Sequence, residues 1–231
     1  MLPFTVCPVG DTGLLVSFEQ RIAQSVGAAV AALNARVAAA VIPGVVETVP
    51  AFATLLIFYD PLVTEYDAVA DAVQKLAQAP GGDTAAGEGR LVEIPVCYGG
   101  TFGPDLPFVA EHAGLTEKEV IELHAGREYR IYMLGFLPGF PYLGGLDERL
   151  FTPRLASPRT AIPAGSVGIG GEQTGVYPIA SPGGWQLIGR TPLKLFDPSS
   201  GRLPYAAGDR IRFCPITQDE FDAIAQKEET V

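Results

Sequence analysis

Residues 129–195 read YRIYMLGFLPGFPYLGGLDERLFTPRLASPRTAIPAGSVGIGGEQTGVYPIASPGGWQLIGRTPLKL, and this stretch determines the kind of fold the chain can adopt. Glycine and proline recur every few residues, which excludes long helices. Between them lie short apolar or β-branched pieces of the length of strands. We therefore expect short strands joined by tight turns, as in a small barrel or sandwich.

The same stretch has a local excess of positive charge. Residues 127–194 contain seven basic and four acidic residues, a net charge of +3, whereas the whole chain carries −10. A positive region in an acidic protein indicates an anionic ligand such as a carboxylate or a phosphate. The alternative is that these arginines pair with acidic residues elsewhere or face water, as surface charges commonly do.

Composition places the chain among well-folded globular proteins. It has 231 residues, 48% hydrophobic and 18% charged, which suits one large domain or two small ones. A sequence pI of about 4.6 argues against sequence-independent binding to nucleic acid, which needs a basic surface. The apolar run at 51–59 is too short to cross a membrane, and the first residues do not resemble a secretory signal.

Cysteine and histidine usage indicates neither a disulfide framework nor a metal site. The three cysteines, Cys7, Cys97 and Cys214, are widely spaced and form no C-x-x-C pair. There are only two histidines, His112 and His124, too few for a multi-histidine site. We therefore expect no metal ligands, and a reducing cytoplasm is the simplest setting.

Periodicity divides the chain into two predicted domains, 1–98 and 99–231. The first reads β-α-β-β-α-β, the ferredoxin-like pattern. Its predicted elements are a strand at 9–19, a helix at 20–41, strands at 45–51 and 54–60, a helix at 64–78 and a strand at 91–98. We find no set of catalytic side chains in this domain, so we expect it to be a scaffold or a protein-docking unit.

The second domain begins with two predicted short helices, at 105–113 and 116–124. Thr116 with Glu119 three residues later forms a capping-box pattern. His124 ends the second helix, where the helix dipole favours a charged imidazole. The functional alternative places His124 at the mouth of the barrel as an acid, a base or an anion contact. The barrel strands follow, and the chain ends in a strand at 209–215 and a helix at 218–226.

The known catalytic motifs do not fit this sequence. GIGGEQTG at 168–175 lacks the spacing of a phosphate-binding P-loop, and no G-x-S-x-G elbow is present. Trp185 follows a glycine turn and is interpreted either as a core residue or as the wall of a pocket. The aromatic run at 136–146 is either a pocket lip or a partner surface. The residues thus predict a small-ligand pocket but no particular reaction.

Long motifs identify a family resemblance. GFLPGFPYLGGL (135–146) and PRLASPRTAIPAGSVGIGGEQTGVYPIASPGGWQLIGRTP (153–192) resemble the carboxyltransferase domain, subdomain C and D family. GDTGLLVSFE (10–19), YDP (59–61) and GDRIRF (208–213) extend the resemblance over nearly the whole chain. The family includes the B component of 5-oxoprolinase, allophanate hydrolase subunit 1 and the kinase inhibitor KipI.

The resemblance implies an α+β protein with a ferredoxin-like N-terminal domain and a cyclophilin-like β-barrel. It implies one component of a heteromeric 5-oxoprolinase, which converts 5-oxo-L-proline to L-glutamate with ATP and Mg²⁺ and also contains an A and a C component. The chain alone is then expected to be inactive, with no tightly bound cofactor. The alternatives are an inhibitor of a sensor histidine kinase and a component of a urea- or allophanate-metabolising enzyme.

The resemblance also marks eight motif positions for the site. Three are expected to be catalytic: His124, Arg154 and Arg159. Five are expected to bind substrate: Gln173, Ser181, Trp185, Arg190 and Thr191. Among these, the arginines are expected to contact anions, Gln173 and Ser181 to hydrogen-bond the amide or carboxylate, and Trp185 to form a pocket wall.

Overall fold

The computed structural model describes residues 2–78 and 89–228 and divides the chain into two units, Met1–Glu88 and Gly89–Val231. No helix among these described residues is long and apolar enough to cross a membrane. In the same ranges, no group of three or more His, Cys, Asp or Glu side chains is arranged to hold a metal ion.

The described residues of the first unit form one antiparallel sheet and two helices. Its described elements are β1 (Thr5–Val9), β2 (Gly13–Ser17), α1 (Gln24–Ala40), β3 (Val45–Pro50), β4 (Thr54–Tyr59) and α2 (Tyr66–Gln78). The sheet order is β1-β2-β4-β3. The turn at Gly10, which has a φ of 59°, folds β1 back on β2. The single strand predicted at 9–19 is therefore the second strand of a hairpin, and the sequence pattern does not predict β1.

Helical periodicity predicts an apolar face made of Ile22, Val26, Val30, Leu33 and Val37; the last four are buried, whereas Ile22 precedes the helix and is exposed. α1 buries Val26, Val30, Leu33 and Val37 against the sheet. Four residues at i, i+4, i+7 and i+11 lie on one face of a helix, so their burial follows from the sequence spacing. The helix ends at Val41, which is exposed and has a φ of 45°, a left-handed conformation that suits glycine better than a β-branched residue.

β5 (Leu91–Tyr98) corrects the predicted domain boundary. The predicted pattern places it in the first sheet, but it lies in the sheet of the second unit, antiparallel to one of its strands and parallel to another. The boundary is therefore at 88/89 and not at 98/99. The described order of the first unit is β-β-α-β-β-α, so the predicted β-α-β-β-α-β order is wrong.

The second unit is built around a seven-stranded sheet that nearly closes into a barrel. Its further described elements are α3 (Leu106–Ala113), α4 (Glu117–Ala125), β6 (Tyr129–Leu134), β7 (Pro141–Gly144), β8 (Arg159–Ile162), β9 (Ser166–Gly170), β10 (Gln173–Val176), β11 (Ser181–Gly183), β12 (Gln186–Arg190), β13 (Arg210–Pro215) and α5 (Gln218–Glu228). The sheet order is β10-β9-β12-β5-β13-β6-β7, and its two edge strands β10 and β7 lie beside each other. The prediction of short strands in a barrel is confirmed at this level.

The barrel core and its surroundings position the site. Ile94, Ile131, Ile169 and Phe213 are among the buried residues inside the barrel. α4 begins with the predicted capping box, in which Thr116 and Glu119 exchange hydrogen bonds. β8 and β11 form a two-stranded sheet that is separate from the seven-stranded sheet. A small hydrophobic cluster, in which Phe140, Tyr177 and Trp185 are the aromatic members, includes Ile162 of β8.

Candidate functional site

An aromatic cavity of about 340 Å³ is formed by the loop before β7, the segment before β8, and β11 with the residues that follow it. Most of its walls are aromatic or proline rings, and one lining residue is charged. The lining residues are Phe136, Phe140, Tyr142, Arg154, Leu155, Pro158, Tyr177, Pro182, Gly183, Gly184 and Trp185. Such a concave, mostly apolar site with few polar groups is typical of small-molecule pockets.

Trp185 forms the inner wall of this cavity. Its ring packs edge-to-face against Phe140 and Tyr177, with centroid distances of 5.6 and 6.2 Å. A Cβ atom on Gly170 would lie 2.4 Å from Cδ1 of Trp185, and one on Gly175 would lie 3.1 Å from its Cζ3. The glycines of β9 and β10 therefore leave the space that the indole occupies.

Phe136 stands at the rim of the cavity in an unusual backbone conformation. Its φ is 64°, and its side chain is 64% exposed. The loop is held tightly, because Leu137 N–H donates to Gly135 O at 2.7 Å and Phe140 N–H donates to Leu137 O at 3.0 Å. A bulky side chain in the left-handed region is rare and marks a position that the surroundings impose. The placement agrees with the pocket-lip interpretation of the run 136–146.

The two arginines predicted to be catalytic, Arg154 and Arg159, differ in their partners. Arg159 donates to both carboxylate oxygens of Asp105, at 2.7 and 2.8 Å, and to the carbonyl of Trp185 at 3.3 Å. Arg154 is exposed, and its guanidinium lies 5.8 Å from the centroid of the Trp185 ring. No carboxylate of residues 2–78 or 89–228 forms an ion pair with Arg154. Arg159 therefore pairs with an acidic residue, as the alternative to anion binding supposed. Arg154 lines the cavity, and its charge is not paired with a carboxylate among the described residues.

Asp105 ties three segments around the site. Besides binding Arg159, its carboxylate accepts the N–H of Leu187 at 2.6 Å. Its own N–H donates to Leu187 O at 2.9 Å. Asp105 precedes α3, Arg159 opens β8 and Leu187 lies in β12, so one carboxylate connects the helix, the small sheet and the barrel. Arg159 is therefore a positioning residue for the backbone of Trp185.

Tyr177 belongs to the cavity although sequence reasoning misses it. Only 2% of its surface is exposed, and its hydroxyl oxygen would lie 2.8 Å from a Cβ atom on Gly183, another lining residue. In the described part of the chain, this hydroxyl has no hydrogen-bond partner, and its oxygen is not among the fully buried side-chain atoms that lack one. Burial raises the pKa of Tyr177 to about 12, while the nearby Arg154 and Arg159 act to lower it. The only sequence signal is a phenol within the otherwise apolar run GVYPIA.

Four other predicted residues lie outside the lining of the cavity. Gln173 begins β10 and is half-buried, and Ser181 in β11 is buried with its hydroxyl donating to Pro182 O at 3.1 Å. Arg190 donates from Nε to Ala164 O at 3.0 Å. The buried hydroxyl of Thr191 accepts the N–H of Leu193 at 3.3 Å. The structure therefore brings together Arg154, Trp185 and, through its backbone contact, Arg159.

His124 lies inside the core and not at the mouth of the barrel. It is fully buried, stacks on Phe213 at 4.8 Å, and uses both ring nitrogens. Thr174 Oγ1 donates to Gly168 O at 3.1 Å, so it accepts from His124 Nε2–H at 2.7 Å. Nδ1 then accepts from the Tyr98 hydroxyl at 2.8 Å.

Burial sets the charge of this imidazole. It lowers the pKa of His124 from 6.5 to about 3, so the ring is neutral at physiological pH. A neutral imidazole with both nitrogens engaged inside the core is a structural residue. This placement does not support the predicted catalytic role.

Comparison with known proteins gives consistent similarities. The model of the family "Carboxyltransferase domain, subdomain C and D" matches residues 4–205. A Bacillus subtilis protein, named as the B component of 5-oxoprolinase, is 44% identical over 231 residues, 95% of each chain. A protein of the same name from Escherichia coli O157:H7 is 51% identical over 175 residues, 75% of this chain and 79% of that protein.

A solved structure shows the same fold at lower identity. The Kluyveromyces lactis urea amidolyase superposes with a TM-score of 0.83 over 98% of this chain, which corresponds to 16% of that protein. The two sequences are 21% identical in this region. The similarity therefore concerns the fold alone.

Proposed function

Because this chain belongs to the carboxyltransferase domain, subdomain C and D family, we propose that it is the B component of an ATP-dependent 5-oxoprolinase. The observation that carries the proposal is the 44% identity to a protein of that name over 95% of both chains. The complex would hydrolyse the cyclic amide 5-oxo-L-proline to L-glutamate, with ATP as the co-substrate and Mg²⁺ bound to the ATP. A companion A component and a C component would complete the enzyme.

The chemistry requires groups that stabilise anions. The lactam oxygen would attack the γ-phosphorus of ATP and release ADP, and a water would then add to the activated carbon. The ring C–N bond would break and the nitrogen would take a proton, which leaves an acyl phosphate. A second water would hydrolyse that acyl phosphate to the side-chain carboxylate of glutamate and free phosphate. In this chain, Arg154 would contact an anion, and Trp185 would form the wall against which a small ring lies. Arg159 would act by holding Trp185 in place.

We assign the barrel of the second unit to the cyclophilin-like class, supported by its nearly closed seven-stranded sheet. No prolyl isomerase activity follows from that class, because a fold does not carry a function. The chain would act in the cytoplasm and would be inactive without its partners.

The test is reconstitution from purified components. The A and C components of the same organism are mixed with this chain, 5-oxoproline and Mg-ATP, and glutamate is measured. We expect glutamate only when all three proteins and ATP are present. Arg154→Gln should lower kcat/KM at least tenfold, whereas Arg202→Gln, which removes an exposed guanidinium outside the cavity lining, should leave it unchanged. No ATP-dependent glutamate formation by the assembled complex, or full turnover without this chain, would refute the proposal.

Affinity purification of the tagged chain from its native host decides between this proposal and the two alternatives. Companion proteins that together turn over 5-oxoproline support the oxoprolinase. A co-purified sensor histidine kinase without those companions would replace it with the inhibitor function. ATP-dependent turnover of urea or allophanate, but not of 5-oxoproline, would replace it with the urea-related function.

A further inference from the structure

We propose that the aromatic cavity of this chain binds a small cyclic carboxylate without any partner protein. The hydroxyl of Tyr177 and the guanidinium of Arg154 would hold the carboxylate, and the ring of the ligand would lie against Trp185. The choice of 5-oxoproline as the first ligand to test rests on the proposed function. The site itself is argued from the cavity.

The hydroxyl of Tyr177 is the observation that points to a ligand. It belongs to a side chain with 2% of its surface exposed, and it has no hydrogen-bond partner among the described residues. The hydroxyl oxygen is not among the fully buried side-chain atoms that lack a partner, so it opens onto the cavity and is not sealed in the core. This hydroxyl lines an aromatic cavity, so a bound molecule with an acceptor oxygen would supply the missing partner. Since burial raises the pKa of Tyr177 to about 12, the hydroxyl keeps its proton and can donate it.

The charge of Arg154 selects an anion for that partner. Arg154 lines the same cavity and has no carboxylate partner in the described ranges. Its guanidinium and the hydroxyl of Tyr177 lie close enough for an electrostatic effect on the tyrosine. A guanidinium and a phenol that converge on one space match the two oxygens of a carboxylate.

The walls and the size of the cavity define the rest of the ligand. Phe140, Tyr142 and Trp185 present rings around a volume of about 340 Å³. That volume is at the lower end of the range for small-molecule sites, about 300–1,000 Å³. A compact ring with one carboxylate therefore fits better than a nucleotide.

The test uses the single tryptophan of the chain as its own reporter. Trp185 lines the cavity, so its fluorescence responds directly when a ligand enters. The isolated full-length chain is titrated with 5-oxo-L-proline and, in parallel, with 2-pyrrolidinone, which has the same ring but no carboxylate. Calorimetry with both compounds confirms the stoichiometry. We expect saturable binding of 5-oxoproline and at least tenfold weaker binding of 2-pyrrolidinone.

Matched variants test the two polar contacts. Arg154→Gln removes the charge from an exposed position, and Tyr177→Phe removes only the hydroxyl while keeping the ring that packs on Phe140 and Trp185. Each should weaken 5-oxoproline binding about tenfold or more, while Arg202→Gln should not change it. Equal binding of both compounds, equal affinity in all variants, or no binding by fluorescence and calorimetry would each overturn the inference.

The outcome is separable from that of the proposed function. A complex that forms glutamate, together with an isolated chain that binds neither compound, would leave the proposed function intact and refute the site. Binding of 5-oxoproline to the isolated chain without turnover by the complex would support the site and refute the proposed function.

Discussion

Mild acid is expected to destabilise the second unit through His124. The imidazole is fully buried, and its Nδ1 atom accepts a hydrogen bond from Tyr98, so a proton on Nδ1 would break that bond. Burial lowers the pKa of His124 from 6.5 to about 3. In the unfolded chain the ring regains its ordinary pKa, so below about pH 6.5 the unfolded state binds a proton that the folded state excludes.

The magnitude follows from this difference in proton binding. Stability is fully present above the unfolded pKa and falls with decreasing pH until the folded pKa is reached. The slope approaches about 1.4 kcal/mol per pH unit, which integrates to a loss of about 2 kcal/mol between pH 7.5 and pH 5.0. This range lies above the ordinary pKa values of carboxylates, about 3.9–4.3, so most of the loss is assigned to histidine.

The assay is urea unfolding of the full chain at the two pH values, followed by the fluorescence of Trp185, which reports on the second unit. His124→Gln should be less stable than the wild type at pH 7.5 but should lose little more at pH 5.0. His112→Gln, which changes the other, exposed histidine, should lose as much as the wild type. NMR signals of the His124 ring should stay unchanged over the same range.

Two results would refute this reasoning. One is an equal loss of stability in His124→Gln and the wild type between the two pH values. The other is titration of the His124 ring in the folded protein above pH 5. Either result would mean that the imidazole is reached by solvent and is not held neutral by the core.

Three further substitutions test other features. Gly170→Ala places a Cβ atom 2.4 Å from Cδ1 of Trp185; we expect a loss of about 1–3 kcal/mol in urea unfolding and a shifted emission, and unchanged stability would contradict the packing. Asp105→Asn weakens the charge-assisted bonds to Arg159 and should cost about 1–3 kcal/mol by the same assay, whereas no loss would mean that the ion pair is dispensable. Val41→Gly removes a β-branched side chain from a left-handed backbone conformation and should stabilise the first unit by about 1 kcal/mol. Amide hydrogen exchange in α1 measures this: slower exchange in the variant supports the prediction, and faster exchange contradicts it.

Local features of the sequence predict local features of the structure. The spacing of Val26, Val30, Leu33 and Val37 locates the buried face of α1, and the Thr116 capping box marks the start of α4. Both depend on neighbours within a few turns of the same helix. The assignment of β5 fails because its alternation fits either sheet. Its partner β13 is far away in sequence, so only tertiary pairing decides which sheet it joins.

The same limit applies to the site. The sequence predicts Arg154 and Trp185 together, and they lie in one cavity. It cannot show that Arg159 is neutralised, because its partner Asp105 is 54 residues away. Tyr177 is missed because a tyrosine is equally common in cores and in pockets. What makes it notable is the missing partner of its hydroxyl, and no sequence pattern reveals that.

The position of β13 has a consequence for how the protein is made. β13 is the last strand among the described residues of the second unit. It lies in the middle of the seven-stranded sheet, between β5 and β6, and joins residues 119 apart, such as Glu93 and Arg212. The described strands and helices of the first unit all precede residue 79, so that unit can fold during synthesis. The barrel cannot form before residue 215 has emerged, and until then the apolar faces of β5 and β6 stay uncovered. A nascent chain arrested before β13 is therefore expected to be a client of chaperones and proteases.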